Sequence, residues 1–192
     1  MKIGYLLVGR LKSKRLPNKL LLKVKGKPII SHLLDRLKLA KKIDDIIICT
    51  STNEQDKQLA KIAKENHVNC FFGDADDVLV RMMDAAKAYN LDYILTVTAD
   101  CPFVDPYYAD AIVDKYQKTE ADFIRQFDLP HGVFSYGLKV KALKKVIDIK
   151  DSIDTEIWGR YFTDTGIFNV IDFDIKNNFH KRPNLRMTLD YP

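Results

Sequence analysis

Two periods organise the apolar positions of this chain. Ile3, Tyr5, Leu6, Leu7 and Val8 form a short apolar run that reads as a buried strand over 2–8. Gly26-Lys27-Pro28 then turns into a helix in which Ile30, Leu33, Leu34 and Leu37 recur at helical spacing, with Pro28 suited to the first helical position. The pattern repeats downstream. It predicts strands over 45–50, 68–72 and 92–98, a polar-faced helix over 55–66, and helices over 76–89 and 106–118. The second half is less regular. Residues 133–140 and 166–173 read as strands, 141–162 holds one or two helices, and 185–190 reads as a last short strand.

Strands separated by helices of ten or more residues argue for an α/β protein built on a mostly parallel, doubly wound sheet. The 192 residues, 46% apolar and 30% charged, suffice for one domain with its own core. No repeat, low-complexity tract or linker divides the chain, and no apolar run approaches the ~20 residues of a membrane span. The N-terminus lacks the charged region and cleavage site of a signal peptide. Cys49, Cys70 and Cys101 are odd in number and lack metal-site spacing. A reduced, cytoplasmic protein is the expectation.

Charge changes the picture. Residues 1–42 carry 13 Lys/Arg against one acid, Asp35, a net of +12, while the remainder carries 18 against 25, a net of −7. Arg10, Lys12, Lys14, Arg15 and Lys19 crowd into ten residues directly after the first strand, with Ser13 and Asn18 as the uncharged polar side chains. Ligands bind at the carboxyl edge of open α/β sheets, so this loop reads as an anion pocket fit for a triphosphate. Arg supplies a rigid fork of donors and Lys a point charge, and Pro17 stiffens the loop. The loop has no aromatic side chain for stacking bases and the acidic body would repel a long polyanion, so a small phosphorylated ligand is preferred to nucleic acid.

Three further constellations bear on chemistry. Asp100, at the end of the strand over 92–98, reads either as a carboxylate for a hard cation such as Mg²⁺ or as a turn residue before Pro102; Asp105-Pro106 reads as a helix cap. Asp190, ending the segment over 185–190, could converge with Asp100 on one metal. Asp74, Asp76 and Asp77 precede a helix and suit its N-terminal dipole. Arg81, one turn in, reaches a base or ribose, or pairs with Asp77. The chain lacks GxGxxG, the P-loop and HExxH, which argues against a dinucleotide oxidoreductase and a standard NTPase.

Arg10-x-x-Ser13-x-Arg15-Leu16-Pro17-x-Lys19, followed by Gly26-Lys27-Pro28, resembles the signature of the sugar-acid cytidylyltransferases. These are the Kdo and acylneuraminate enzymes and, closest, the SpsF-like branch of spore-coat polysaccharide synthesis. The resemblance runs on in order through Thr50-Ser51-Thr52-Asn53, Asp76-Asp77-Val78-Leu79-x-Arg81, Asp100-Cys101-Pro102-Phe103-Val104-Asp105-Pro106 and Thr188-Leu189-Asp190-x-Pro192. It implies a nucleotide-diphospho-sugar transferase (Rossmann-like) fold and transfer of CMP from CTP to a sugar acid or sugar-like acceptor, with release of pyrophosphate, for a surface glycan. By the same resemblance Val8, Gly9, Arg10, Ser13, Arg15, Lys19, Thr52 and Arg81 hold the nucleotide. Asp100 and Asp190 hold Mg²⁺, and Arg10, Lys19 and Asp100 carry the chemistry. Some family members use GTP.

The chain departs from the family pattern at Val8-Gly9, at Lys12, at Gly132-Val133-Phe134-Ser135-Tyr136, which carries no carboxylate, and at Glu156-Ile157. Relatives continue with a helix after the residue matching Asp190, so a chain ending at Pro192 reads as shortened. The segment 133–173 is expected to supply an acceptor region or a homodimer arm; its Phe134, Tyr136, Trp158, Tyr161 and Phe162 serve an interface or a core. Two other functions remain open. One is a glycosyltransferase using a finished nucleotide sugar, with Asp74-x-Asp76 as its metal motif. The other is a non-catalytic nucleotide-binding module.

Overall fold

The computed structural model describes residues 1–13 and 15–191; Lys14 of the basic loop and the terminal Pro192 lie outside the described residues. The elements run β1 (Ile3–Val8), β2 (Lys23–Val24), β3 (Lys27–Pro28), α1 (Ile29–Leu37), β4 (Asp45–Ser51), α2 (Gln58–Glu65), β5 (Asn69–Gly73), α3 (Val78–Ala88), β6 (Tyr93–Thr98), α4 (Pro106–Thr119), β7 (Phe123–Arg125), β8 (Tyr136–Lys139), α5 (Val140–Ile149), α6 (Arg160–Thr163) and β9 (Val170–Asp172). Seven strands form one sheet in the order β5-β4-β1-β6-β8-β7-β9. The strands β5, β4, β1 and β6 are parallel, β8 is antiparallel to both its neighbours, and β9 pairs parallel to β7.

Alternation along each strand divides the core in two. Ile3, Tyr5 and Leu7 of β1 and Tyr93, Leu95 and Val97 of β6 face one layer, packed by α1, α2 and α4. Leu6, Val8 and Ile94 face the other, packed by α3, α5 and α6. Both faces are covered, so the parallel strands read as continuous apolar runs. Each fully buried Leu or Ile contributes about 1.5–3 kcal/mol. The apolar stripe of α1, with Ile30, Leu33, Leu34 and Leu37 all at 0% exposure, therefore anchors the helix that follows the basic loop.

The α/β class and the parallel half agree with the sequence reading, and three local expectations are corrected. Pro28 occupies the cap position in extended geometry rather than the first helical turn, because it ends β3. The β2–β3 hairpin closes on Lys25 and Gly26, both at positive φ, the geometry of a two-residue turn that matches strand twist. Residues 185–190 form no strand; a single bridge joins His131 to Arg186. In the second half the strands are shorter than expected, at Tyr136–Lys139 and Val170–Asp172, and Phe123–Arg125 adds one that periodicity does not mark. Phe134, Tyr161 and Phe162 are core residues, Trp158 is half-buried and Tyr136 is exposed at the start of β8.

Candidate active site

The chain passes from β1 outward to β4 and β5, then returns to place β6 on the other side of β1. The connections therefore diverge between β1 and β6, which makes a crevice at their carboxyl ends. The loops leaving these strands touch there. A Cβ built on Gly9 would lie 2.6 Å from the Cβ of Ala99, so only glycine fits this approach. Gly9 N–H donates to the Cys49 carbonyl at 3.2 Å, and Val8 is buried beneath.

Lys19 opens a short 3-10 turn after the basic loop, and its side chain is 12% exposed. Its Nζ lies 2.5 Å from Asp100 Oδ2 and 3.4 Å from Asp190 Oδ1, so one ammonium bridges two carboxylates 90 residues apart in sequence. Arg15 Nη2 donates to Asp190 Oδ1 at 2.8 Å, and its guanidinium lies over the Tyr191 ring at 5.4 Å. The other Asp190 oxygen accepts from Thr188 Oγ1 at 2.7 Å and from Arg186 Nη2 at 2.7 Å. Burial pushes the Asp190 carboxyl up. The hydrogen bonds from Thr188 and Arg186 and the charges of Lys19 and Arg15 outweigh it and hold the group well below the usual carboxylate range.

Asp190 reaches this place without a strand because the tail is stitched to the body backbone. Leu189 N–H donates to the Asp100 carbonyl at 2.8 Å, Met187 N–H to the His131 carbonyl at 2.8 Å, and His131 N–H to the Leu185 carbonyl at 2.9 Å. Gly132, at φ +93°, permits the close passage: a Cβ there would stand 2.8 Å from the Thr188 methyl. Asp100 follows β6 through Ala99, and Asp105 caps α4 by accepting from Tyr107 N–H at 2.9 Å, as expected.

Arg10 diverges from Arg15 and Lys19. Its Nη1 donates to the Ala75 carbonyl and lies 3.2 Å from Asp76 Oδ1. The turn it meets is heavily braced. Asp74 accepts from the N–H groups of Asp76 and Asp77, which holds its carboxyl below the usual range. Asp77 caps α3 by accepting from Val80 N–H at 3.1 Å. Arg81 does not pair with Asp77, and its side chain is 1% exposed. It donates to the Asp74 carbonyl at 2.7 Å, so it supports this turn from beneath in place of the expected reach to a base or ribose. Asp77 pairs instead with Lys150 and accepts from Thr155 Oγ1 at 2.8 Å, which ties the segment after α5 to the same turn. Asp74 thus braces the turn and Asp76 pairs with Arg10.

The remaining sequence candidates are placed as follows. Ser13 Oγ accepts from Leu16 N–H at 3.3 Å, closing its own turn. Thr52 is exposed at the end of β4, its N–H on the Gly73 carbonyl. The structure gives Thr188, already in the motif of Asp190, and its neighbour Arg186 their contacts with that carboxylate, and adds Asp56 under the basic loop, to which periodicity and motifs gave no role. Arg186 and Thr188 lie within four residues of Asp190, so their signal was in the sequence; Asp56 read only as a polar position at the start of the helix expected over 55–66, where the structure has a 3-10 turn over Glu54–Lys57. Among the described residues, no group of three or more His, Cys, Asp or Glu side chains gathers to hold an ion. Asp100 and Asp190 are a pair of hard oxygen donors already sharing one cation, a set that fits a Mg²⁺ completed by substrate oxygens.

A family model described as cytidylyltransferase matches residues 5–162. The spore coat polysaccharide biosynthesis protein SpsF of Bacillus subtilis is 23% identical over 195 residues, covering 98% of this chain and 81% of that protein. An 8-amino-3,8-dideoxy-manno-octulosonate cytidylyltransferase of Shewanella amazonensis is 27% identical over 170 residues, covering 85% of this chain and 65% of that protein. The structure of a cytidylyltransferase from Leptospira borgpetersenii superposes with a TM-score of 0.89 at 28% identity, covering 99% of this chain and 82% of that one. No helix among the described residues is long and apolar enough to cross a membrane.

Proposed function

Since this chain belongs to the cytidylyltransferase family, we propose that it moves CMP from CTP to a hydroxyl of a sugar acid or similar acceptor, releasing pyrophosphate, in the synthesis of a surface glycan. The observation that carries this reading is the meeting of Lys19, Asp100 and Asp190 at the crevice between β1 and β6. In the reaction the acceptor oxygen bonds to the α-phosphorus, the bond to the β-phosphate bridging oxygen breaks, and the hydroxyl proton passes to solvent. Arg15 and Lys19 stabilise the negative charge that builds on the departing pyrophosphate, and Arg10, held here by Ala75 and Asp76, would join them on turning toward the phosphates. Asp100 and Asp190 are the residues that would hold Mg²⁺, which when bound would polarise phosphate oxygens and lower the pKa of the acceptor hydroxyl. Gly9 lets the nucleotide loop lie close against the loop of Asp100, and Thr52, exposed after β4, is the residue offered to the nucleoside. The acceptor side is assigned to the start of β8, the strand next to β6, where Tyr136 and Trp158 meet edge-on at 5.7 Å.

The same reading places the protein in the cytoplasm, where the three free thiols stay reduced, and makes it a homodimer through 133–173, where Ile153 and Ile157 stand exposed. Calorimetric titration with CTP, GTP, UTP and ATP, each with and without Mg²⁺, tests the nucleotide half. Selective binding of CTP that Mg²⁺ strengthens is expected. A preference for GTP would change the product, and no binding of any of the four would refute the reading.

A further inference from the structure

Asp56 lies in the 3-10 turn after β4, and its side chain is 0% exposed. Burying a carboxylate is costly unless donors and a cation answer it, so its partners reveal what it holds. Oδ1 accepts from the Leu11 backbone N–H at 2.7 Å, and Oδ2 accepts from the Ser51 hydroxyl. Leu11 is the third residue after β1, at the start of the basic loop, and it is 2% exposed in the core. One residue earlier Arg10 turns toward Ala75 and Asp76; two residues earlier Gly9 is fixed to the Cys49 carbonyl. The backbone of residues 9–11 is thus pinned twice to the end of β4, once directly and once through Asp56. Every cation assigned to the triphosphate follows from the direction the chain takes there.

We propose that Asp56 is a positioning residue for the nucleotide: by capping the Leu11 N–H it sets the exit of the basic loop, and with it the affinity for a nucleoside triphosphate. This inference rests on the nucleotide-binding reading above. Asp56→Ala leaves the Leu11 N–H buried without an acceptor, so the loop must shift to find one. Asp56→Asn keeps an amide oxygen in the same place.

The test is calorimetric binding of CTP with Mg²⁺ to wild type, Asp56→Ala, Asp56→Asn and Leu143→Ala, with thermal melts of all four. Leu143, buried in α5 in the other core layer, supplies a loss of stability remote from the loop. The expected result is at least a tenfold weakening in Asp56→Ala, recovery to within threefold in Asp56→Asn, and less than a twofold change in Leu143→Ala. Should Asp56→Ala not fold, Asp56→Ser, whose oxygen falls short of Leu11, is expected to show the same tenfold loss. Binding within twofold of wild type in the Ala or Ser variant would overturn the inference, as would a loss no greater than that of Leu143→Ala. Wild type that binds none of the four nucleoside triphosphates would instead refute the reading beneath it.

Discussion

Replacing Lys150 by Met tests how strongly the second half of the chain is fastened to the nucleotide side. Lys150 Nζ pairs with Asp77 inside the protein, the two side chains being 11% and 8% exposed, and also donates to the Ser152 carbonyl at 2.9 Å. Met fills most of the volume and removes the charge. Asp77 would then be buried with only Thr155 and the Val80 N–H to answer it. Breaking a buried pair from one side costs about 3–5 kcal/mol; the two surviving donors place this case at the lower end, about 3 kcal/mol. For a chain of this size each kcal/mol moves Tm by about 2–4 °C, so a fall of about 6–12 °C is expected in a calorimetric melt. Asp77→Asn combined with Lys150→Met leaves no unpaired charge and keeps the cap on α3, so most of that loss should be recovered. The turn over 74–77 also receives Arg10, so CTP binding should weaken several-fold in the single variant. A fall of less than about 3 °C, or a double variant no more stable than the single one, would refute the argument that the pair is a buried latch.

The other expectations concern the crevice. Asp100→Asn should lower turnover by at least about a hundredfold, near 2.7 kcal/mol of transition-state stabilisation, with an unchanged circular dichroism spectrum; near-wild-type pyrophosphate release would exclude Asp100 as a metal ligand. Lys19→Ala should raise the CTP concentration for half-maximal rate by about tenfold or more, and an unchanged dependence in a steady-state assay would remove Lys19 from phosphate binding. Asp190 has a folded pKa below its unfolded value near 3.9, so its charge stabilises the fold fully above that value, and the contribution fades as pH falls through the folded pKa. The stability gap between wild type and Asp190→Asn, measured by urea unfolding, should therefore be widest above about pH 5 and narrow on acidification below about pH 4; a gap that grows in acid would contradict the assignment.

Much of this protein is written in local pattern. β1 and β6 are apolar on both faces and α1 has one apolar stripe, so the parallel half follows from periodicity alone, because burial on two faces or one leaves different spacings in sequence. The crowding of Arg10, Arg15 and Lys19 behind β1 was equally legible, as was Asp100 behind β6, because the end of a parallel strand fixes which edge a residue occupies. What local pattern could not carry was decided by contacts between distant segments. Residues 185–190 have the alternation of a strand, yet their backbone groups are satisfied by His131 and Asp100 instead of a ladder. Arg81 has the spacing to pair with Asp77, but the turn over 74–75 offers it carbonyls and Lys150, 73 residues away, takes the carboxylate. Asp56 reads as one more polar position of the helix expected over 55–66 until the fold closes over it and brings the Leu11 N–H to its oxygen. Periodicity records only which face of an element is buried; which charges share a buried space depends on how the elements pack, and that only the tertiary structure decides.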